Sequence, residues 1–255
     1  SILSDAQKQK DTPKIRLAIV FNPESDFSKF KKYQIHQVFI NSDYKNGDNW
    51  NDSSLKIKAT RFFNLGYHQN LFNIQLFENN INFRPGNLYR QNDYFNTLYN
   101  LNKLGVWQGI DIQFVETRDS SNSLDVYINL PLSKKYGFET GIELSYSAAS
   151  NTSNLIAGNL FGLSSNLNIL NRNLGKQATR MTHNIRVGIE LDNNFGLKKS
   201  IVNSNEIGYS NSTTFPKLIF SYIPNSLMGK ANKNKGESFI NLSTSYNTRF
   251  NLFNQ

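Results

Sequence analysis

The chain contains no cysteine, which excludes a disulfide framework and any thiolate-bound metal. It also lacks any run approaching the ~18 apolar residues of a membrane-spanning helix, so a helical membrane protein is excluded. A mean hydropathy of −0.51 still leaves a β-barrel open, because strands with one polar face average out hydrophilic. Charge is sparse: Asp, Glu, Lys and Arg make up 18 % of 255 residues, below the usual quarter or so, and Asn, Ser and Thr fill the gap. Acidic residues are the scarcer sign, 19 against 28 basic, for a formal net charge of +9. The basic residues are scattered, with short clusters at Lys29, Lys31 and Lys32 and at Lys230, Lys233 and Lys235. No basic helix face emerges, so the charge reads as dispersed and solvated, with no nucleic-acid partner.

Aromatic side chains, by contrast, are plentiful at 13 % and spread along the whole row, which argues against disorder. The length suits one large domain or two modest ones. Ser1 to Asp11 is polar and does not read as a signal peptide, and Leu252 to Gln255 follows directly on an alternating run. The chain is therefore expected to be a fragment of a longer protein.

The first third reads as mixed α/β. Lys14 to Phe21 is a β-rich run ending at Asn22-Pro23, a strand followed by a turn. Tyr33 to Ile40 alternates, with Tyr33, Ile35 and Gln37 expected on one face and Val38 and Ile40 on the other. Asn41 to Ser54 is a polar loop, and Leu55 to Phe63 is a further candidate strand. Asn92 or Asp93 is positioned to cap a helix over Tyr94 to Leu104, where Phe95, Leu98, Leu101 and Leu104 recur at helical spacing before the stop at Gly105. Two strands, Gly109 to Glu116 and Leu124 to Leu130, follow as a hairpin around Thr117 to Ser123. Strand, helical region and hairpin in this order make one small α+β module.

From Lys134 onward helix signals stop and the period becomes two. In Tyr136 to Ser147 the even positions carry Tyr136, Phe138, Thr140, Ile142, Leu144 and Tyr146, while the odd ones carry Gly137, Glu139, Gly141, Glu143, Ser145 and Ser147. Leu155 to Ile169, Thr182 to Leu191, Ser204 to Ser210 and Ser238 to Phe250 repeat the pattern. Soluble strands usually run five or six residues, whereas a tilted strand needs about ten to cross a bilayer. A transmembrane barrel is thus favoured over a soluble sandwich, the even residues facing lipid and the odd ones a hydrated lumen. Phe215 to Pro224, bounded by prolines, suits a barrel rim or strap.

No catalytic constellation stands out. His36, His68 and His183 lack ligand spacing, and there is neither a GxSxG elbow nor a phosphate loop. Glu139 and Glu143 would share a strand face about 13 Å apart, from four residues at ~3.3 Å rise, too far for an acid/base pair. No enzyme activity, cofactor or metal is expected.

Three passages resemble the BamA/TamA family of outer-membrane assembly proteins, most closely its TamA-like branch. Ile81 to Phe114 is similar to the second half of a POTRA domain, with a "pGxlY" pattern, a helix ending "L..LG.f" and a strand. Leu124 to Ser147 is similar to the passage, through Pro131 to Lys135, from the last POTRA strand into a first barrel strand. Gly158 to Ala178 contains Asn171-Arg172-Asn173-Leu174-Gly175, resembling the "nRNlfrGa" turn between early barrel strands.

The resemblance implies an α+β POTRA module followed by antiparallel transmembrane β-barrel strands, a partial barrel. Its divisions are 1–24 as the end of a preceding POTRA domain, 25–132 as a POTRA domain with an insertion at about 45–70, and 133–255 as the N-terminal part of the barrel. It implies an outer-membrane location with the POTRA region in the periplasm. The implied role is an assembly factor that receives unfolded outer-membrane clients beside membrane lipids, with accessory lipoproteins or periplasmic subunits as partners. Client docking by strand addition would fall on Tyr33, Ile35, Gln37 and Phe39. The barrel seam would lie on the first strand, at Tyr136, Gly137, Phe138, Gly141, Ile142, Leu144 and Tyr146, where the glycines weaken pairing or simply line the lumen. Alternatives with the same architecture are a two-partner secretion pore and the barrel tail of a patatin-like phospholipase.

Overall fold

The computed structural model describes residues 31–50, 53–117, 122–147, 160–192, 202–219 and 236–249. The expected strand Lys14 to Phe21, with the boundary after residue 24, lies outside the described residues, as do residues 220–224 of the proline-bounded segment. Among the described residues the chain is mostly β, with ten strands in two five-stranded sheets and two helices.

The first sheet is mixed. Its strands are β1 (Gln34–Asn41), β2 (Lys56–Ala59), β3 (Asn64–Tyr67), β4 (Asp111–Glu116) and β5 (Ser123–Asn129), in the spatial order β2-β3-β1-β5-β4. β1 runs parallel to both β3 and β5, while β2–β3 and β4–β5 are antiparallel hairpins. Parallel neighbours need a crossover; between β1 and β5 it is supplied by α1 (Ile74–Asn80) and α2 (Gln91–Leu104). β5 alternates cleanly, burying Leu124, Val126 and Ile128 beneath these helices. Phe77, Leu101, Leu104 and Trp107 complete the core from the other side.

The structure departs from several of these expectations. The face assignment in β1 changes because the strand carries a bulge between Ile35 and Val38. The extra residue resets the alternation, so Ile35, Val38 and Ile40, at 2 %, 1 % and 0 % exposure, all reach the core. The Gln37 N–H is satisfied by Asp125 Oδ1 at 3.1 Å. α2 starts at Gln91 with Arg90 in the cap position and no side-chain cap bond, which leaves Asp93 in the first turn, where its charge suits the helix dipole. Its buried positions are Thr97, Leu101 and Leu104, and Phe95 points to solvent. Gly105 ends it in the left-handed conformation, φ 64°.

α1 has no counterpart among the expected elements; its seven residues bury Leu76 and Phe77, and Asn73 caps it by accepting the Gln75 N–H at 3.3 Å. The 45–70 segment holds β2 and β3, which widen the sheet beyond β1 and add Phe63 and Leu65 to the core.

The second sheet is an antiparallel meander of β6 (Tyr136–Ser147), β7 (Leu160–Leu174), β8 (Thr179–Asp192), β9 (Val202–Phe215) and β10 (Ser238–Arg249), each paired, among the described residues, with its sequence neighbours. These strands are 12 to 15 residues long. β9 is twice the length of the Ser204 to Ser210 candidate, because its second half is rich in Ser, Asn and Thr and shows no hydropathic alternation. Among the described residues the meander is open, with β6 and β10 as its edges.

Candidate functional site

Strand docking requires an edge with unpaired N–H and C=O groups. β1 has none to offer, since β3 and β5 occupy its two sides. The expected docking residues are therefore corrected: Ile35 is buried, Gln37 and Phe39 lie on the outer face of a central strand, and Tyr33 precedes the strand. Phe39 stacks on Tyr127 at 4.8 Å, and the Trp50 ring meets it edge-on at 5.1 Å, so this surface is already covered by the chain's own aromatics. Burial beneath this cluster, helped by the nearby Asp125 charge, pushes the Tyr127 phenol up.

The sheet's true edges are β2 and β4. β2 is four residues long, fully exposed and carries Lys56 and Lys58, features that blunt an edge against pairing. β4 is longer and bears no lysine; among the described residues only β5 pairs with it. It is held rigidly from behind, because Phe114 packs edge-on against Phe83 and Tyr89 at 5.7 and 5.1 Å. Its end is fixed by the Tyr33 hydroxyl, which donates to Glu116 Oε1 at 2.6 Å. That carboxylate holds the Tyr33 phenol above its ordinary value through the hydrogen bond and its charge. Sequence periodicity identifies this strand but carries no signal for which of its sides stays free.

In the meander, cross-strand register sorts side chains into two unlike faces. One row reads Ile142, Ser165, Val187, Ile207 and Tyr246, and the next Thr140, Leu167, Ile185, Tyr209 and Thr244. The opposite face reads Glu143, Ser164, Gly188, Glu206 and Asn247, then Gly141, Asn166, Arg186, Gly208 and Ser245. On this polar face Arg186 Nη2 lies 3.3 Å from Glu143 Oε2, and Ser204 donates to Glu190 Oε2 at 2.6 Å. A single concavity here reaches from Glu143 on β6 to Asn247 and Arg249 on β10, so the sheet curves around its polar side. The apolar face is convex and bare, with Phe138, Ile142, Leu144 and Tyr146 all exposed.

The expected seam residues thus share one strand but not one face. Tyr136, Phe138, Ile142, Leu144 and Tyr146 lie on the convex side, while Gly137 and Gly141 lie on the concave side. Gly141 is overlain by the Asn166 side chain, which a Cβ would meet at 2.5 Å. Among the described residues β6 pairs with β7 alone. The turn residues Asn171, Arg172 and Asn173 close β7, and Gly175, φ 65°, turns the chain toward β8.

The histidines are dispersed among separate partners. His36 meets Asp125 at 2.9 Å, His68 lies 3.3 Å from Asp43 and 3.6 Å from Asp48, and His183 meets the Tyr209 hydroxyl at 2.8 Å.

Together these features define an α/β module joined to an open, two-faced antiparallel meander. No protein-family model matches the chain, and no curated protein matches it either. Among solved structures it is similar to the crystal structure of BamA from Haemophilus ducreyi lacking POTRA domains 1–3, with a TM-score of 0.36 and 9 % identity. That similarity covers 84 % of this chain and 36 % of the BamA chain, so the chain spans about a third of that protein.

Proposed function

We propose that the chain is part of an outer-membrane protein assembly factor, in which the meander supplies the first strands of a transmembrane barrel and the α/β module is a periplasmic POTRA-type domain. The observation that carries this reading is the convex apolar face. Leaving a large aliphatic or aromatic side chain in water instead of burying it forfeits roughly 1.5–3 kcal/mol, and here Phe138, Ile142, Leu144, Val187, Ile207, Leu242 and Tyr246 are exposed together. Strands of 12 to 15 residues exceed the ~9–11 a tilted strand needs to cross the hydrocarbon core. The concave face carries the polar side chains, Glu143, Asn166, Arg186 and Glu206 among them, that a hydrated lumen would require.

In this role unfolded outer-membrane clients dock on the module by strand addition to β4, and the free edge of β6 templates their strands at the seam. Both steps exchange backbone hydrogen bonds and call for no cofactor. Membrane lipids cover the convex face, and accessory lipoproteins or periplasmic subunits share the module.

The test uses single cysteines at Ile142 and Glu143 in this cysteine-free chain, probed in membranes with a water-soluble maleimide. Labelling of Glu143→Cys with protection of Ile142→Cys is expected; the reverse result refutes the membrane reading. For docking, a photo-crosslinker at Val115 on β4 should capture an unfolded outer-membrane client, whereas one at Ile57 on β2 should not.

A further inference from the structure

The assembly role leaves the turn between β7 and β8 without a task, yet it touches more of the chain than a hairpin turn requires. On one side it grips the connection that precedes β6. The Arg172 N–H donates to Lys135 O at 2.9 Å, and Arg172 Nη1 donates to Lys134 O at 2.8 Å. That connection is itself strapped to the α/β module, since Gln108 N–H donates to Pro131 O at 2.8 Å and Ser133 N–H to Val106 O at 3.0 Å.

On its other side the turn seats on the module directly. Asn173 Nδ2 donates to Leu71 O at 2.9 Å, and the Asn73 N–H donates to Lys176 O at 2.9 Å. Asn73 is also the cap of α1, so the helix start and the turn share one residue. Asn173 Oδ1 accepts the Ala178 N–H at 3.0 Å, tying the turn to itself with the same side chain that holds the module. Ala178 is 3 % exposed and belongs to the module's hydrophobic core. Lys176 and Ala178 are left-handed, at φ 60° and 55°. Residues with a Cβ keep that conformation where the surroundings over-determine it. A separate contact, Lys103 Nζ to Glu237 Oε1 at 3.5 Å, joins α2 to the start of β10 at the same end of the sheet.

We propose that this turn is a clamp that fixes the α/β module to the end of the meander, so that the two move as one body and β4 keeps a constant position relative to the free edge of β6. Arg172 and Asn173 are its positioning residues. The clamp rests on contacts within the chain and holds whether or not the sheet lies in a membrane, so its failure and that of the assembly reading are separate results.

The test measures a distance across the joint. Spin labels are placed on Asn102→Cys at the exposed side of α2 and Thr244→Cys on β10, in the full chain in detergent, and the pair is read by pulsed electron resonance. The parent should give one narrow distance distribution. Asn173→Asp keeps the acceptor for the Ala178 N–H, and hence the turn, but loses the donor to Leu71 O; it should broaden the distribution, as should Arg172→Ala. Asn184→Ala, which removes a 2.6 Å bond to Asn168 inside the sheet, should leave it narrow. A broad parent distribution, clamp variants as narrow as the parent, or equal broadening in Asn184→Ala would each overturn the proposal.

Discussion

The two sheets of this chain are built by the same rule and completed in opposite ways. In the first, alternation delivers every second side chain to a layer of helices, and Val126 in β5 is 0 % exposed. In the second, an equally regular alternation delivers Ile142 and Phe138 to nothing in the described chain, and they stand 77 % and 74 % exposed. Both sheets separate apolar from polar faces by strand pleat alone. The module covers its apolar face with its own helices, whereas among the described residues nothing covers that of the meander. The strands differ in length as well: four to eight residues in the module and 12 to 15 in the meander.

Deleting one aromatic from each sheet's apolar side should affect the two sheets very differently. Phe77→Ala, at a fully buried site, should destabilise the module by about 3–5 kcal/mol. Phe138→Ala should leave stability in detergent-free solution nearly unchanged, as denaturant unfolding of the full chain would read. If the two substitutions cost the same, the meander has an internal cover. A bilayer should reverse the second result. Ile142→Arg is expected to cost about 2–4 kcal/mol in vesicles when the arginine sits near the midplane. Ser164→Arg, on the concave face, should be tolerated in the same urea titration.

A smaller effect tests what ends the module's helical layer. Gly105 is left-handed with open space around its Cα, so Gly105→Ala should cost roughly 1–2 kcal/mol from backbone strain alone. Gly188, on the meander's concave face, has no left-handed backbone, and an added Cβ would make only ordinary contacts from 3.5 Å, so Gly188→Ala should be tolerated better, as thermal unfolding of both variants would read.

The smallest effect concerns the end of β4. The Tyr33 phenol is held above its ordinary value in the folded state by Glu116. A raised folded value gives stability that is complete below the pH where the unfolded phenol titrates and is lost as pH rises through the folded value. Tyr33→Phe should therefore unfold slightly earlier than the parent at neutral pH, and the two should converge in alkali. A difference that grows with pH would show that the Tyr33–Glu116 bond is not what stabilises this edge.

Much of the meander was legible because a strand with unlike faces writes its register into consecutive residues. From Tyr136 to Ser147 a slip of one position would exchange Ile142 and Glu143, so parity alone assigned both faces. The helix α2 and its stop at Gly105 were legible for the same local reason. β9 was half hidden because Ser, Asn and Thr serve on either face.

Which edge is free, by contrast, is a property of partners far along the chain. Tyr33 to Ile40 looked like a docking strand, and only its pairing with Asn64–Gly66 and with Gln34's partner Ser123 onward shows it to be central. Its bulge, stabilised by Asp125 some 88 residues away, could not be read from an alternation that the bulge itself interrupts. The turn at Asn171 to Gly175 was visible as a motif, but its grip on Leu71 and Asn73 was not. By itself the sequence determined the periods, the turns and, where no bulge intervenes, the faces, because these follow from forces between near neighbours. Tertiary structure decided which strand lies at an edge and which turn holds the module, because unpaired backbone groups and buried side chains find their partners only when distant segments meet.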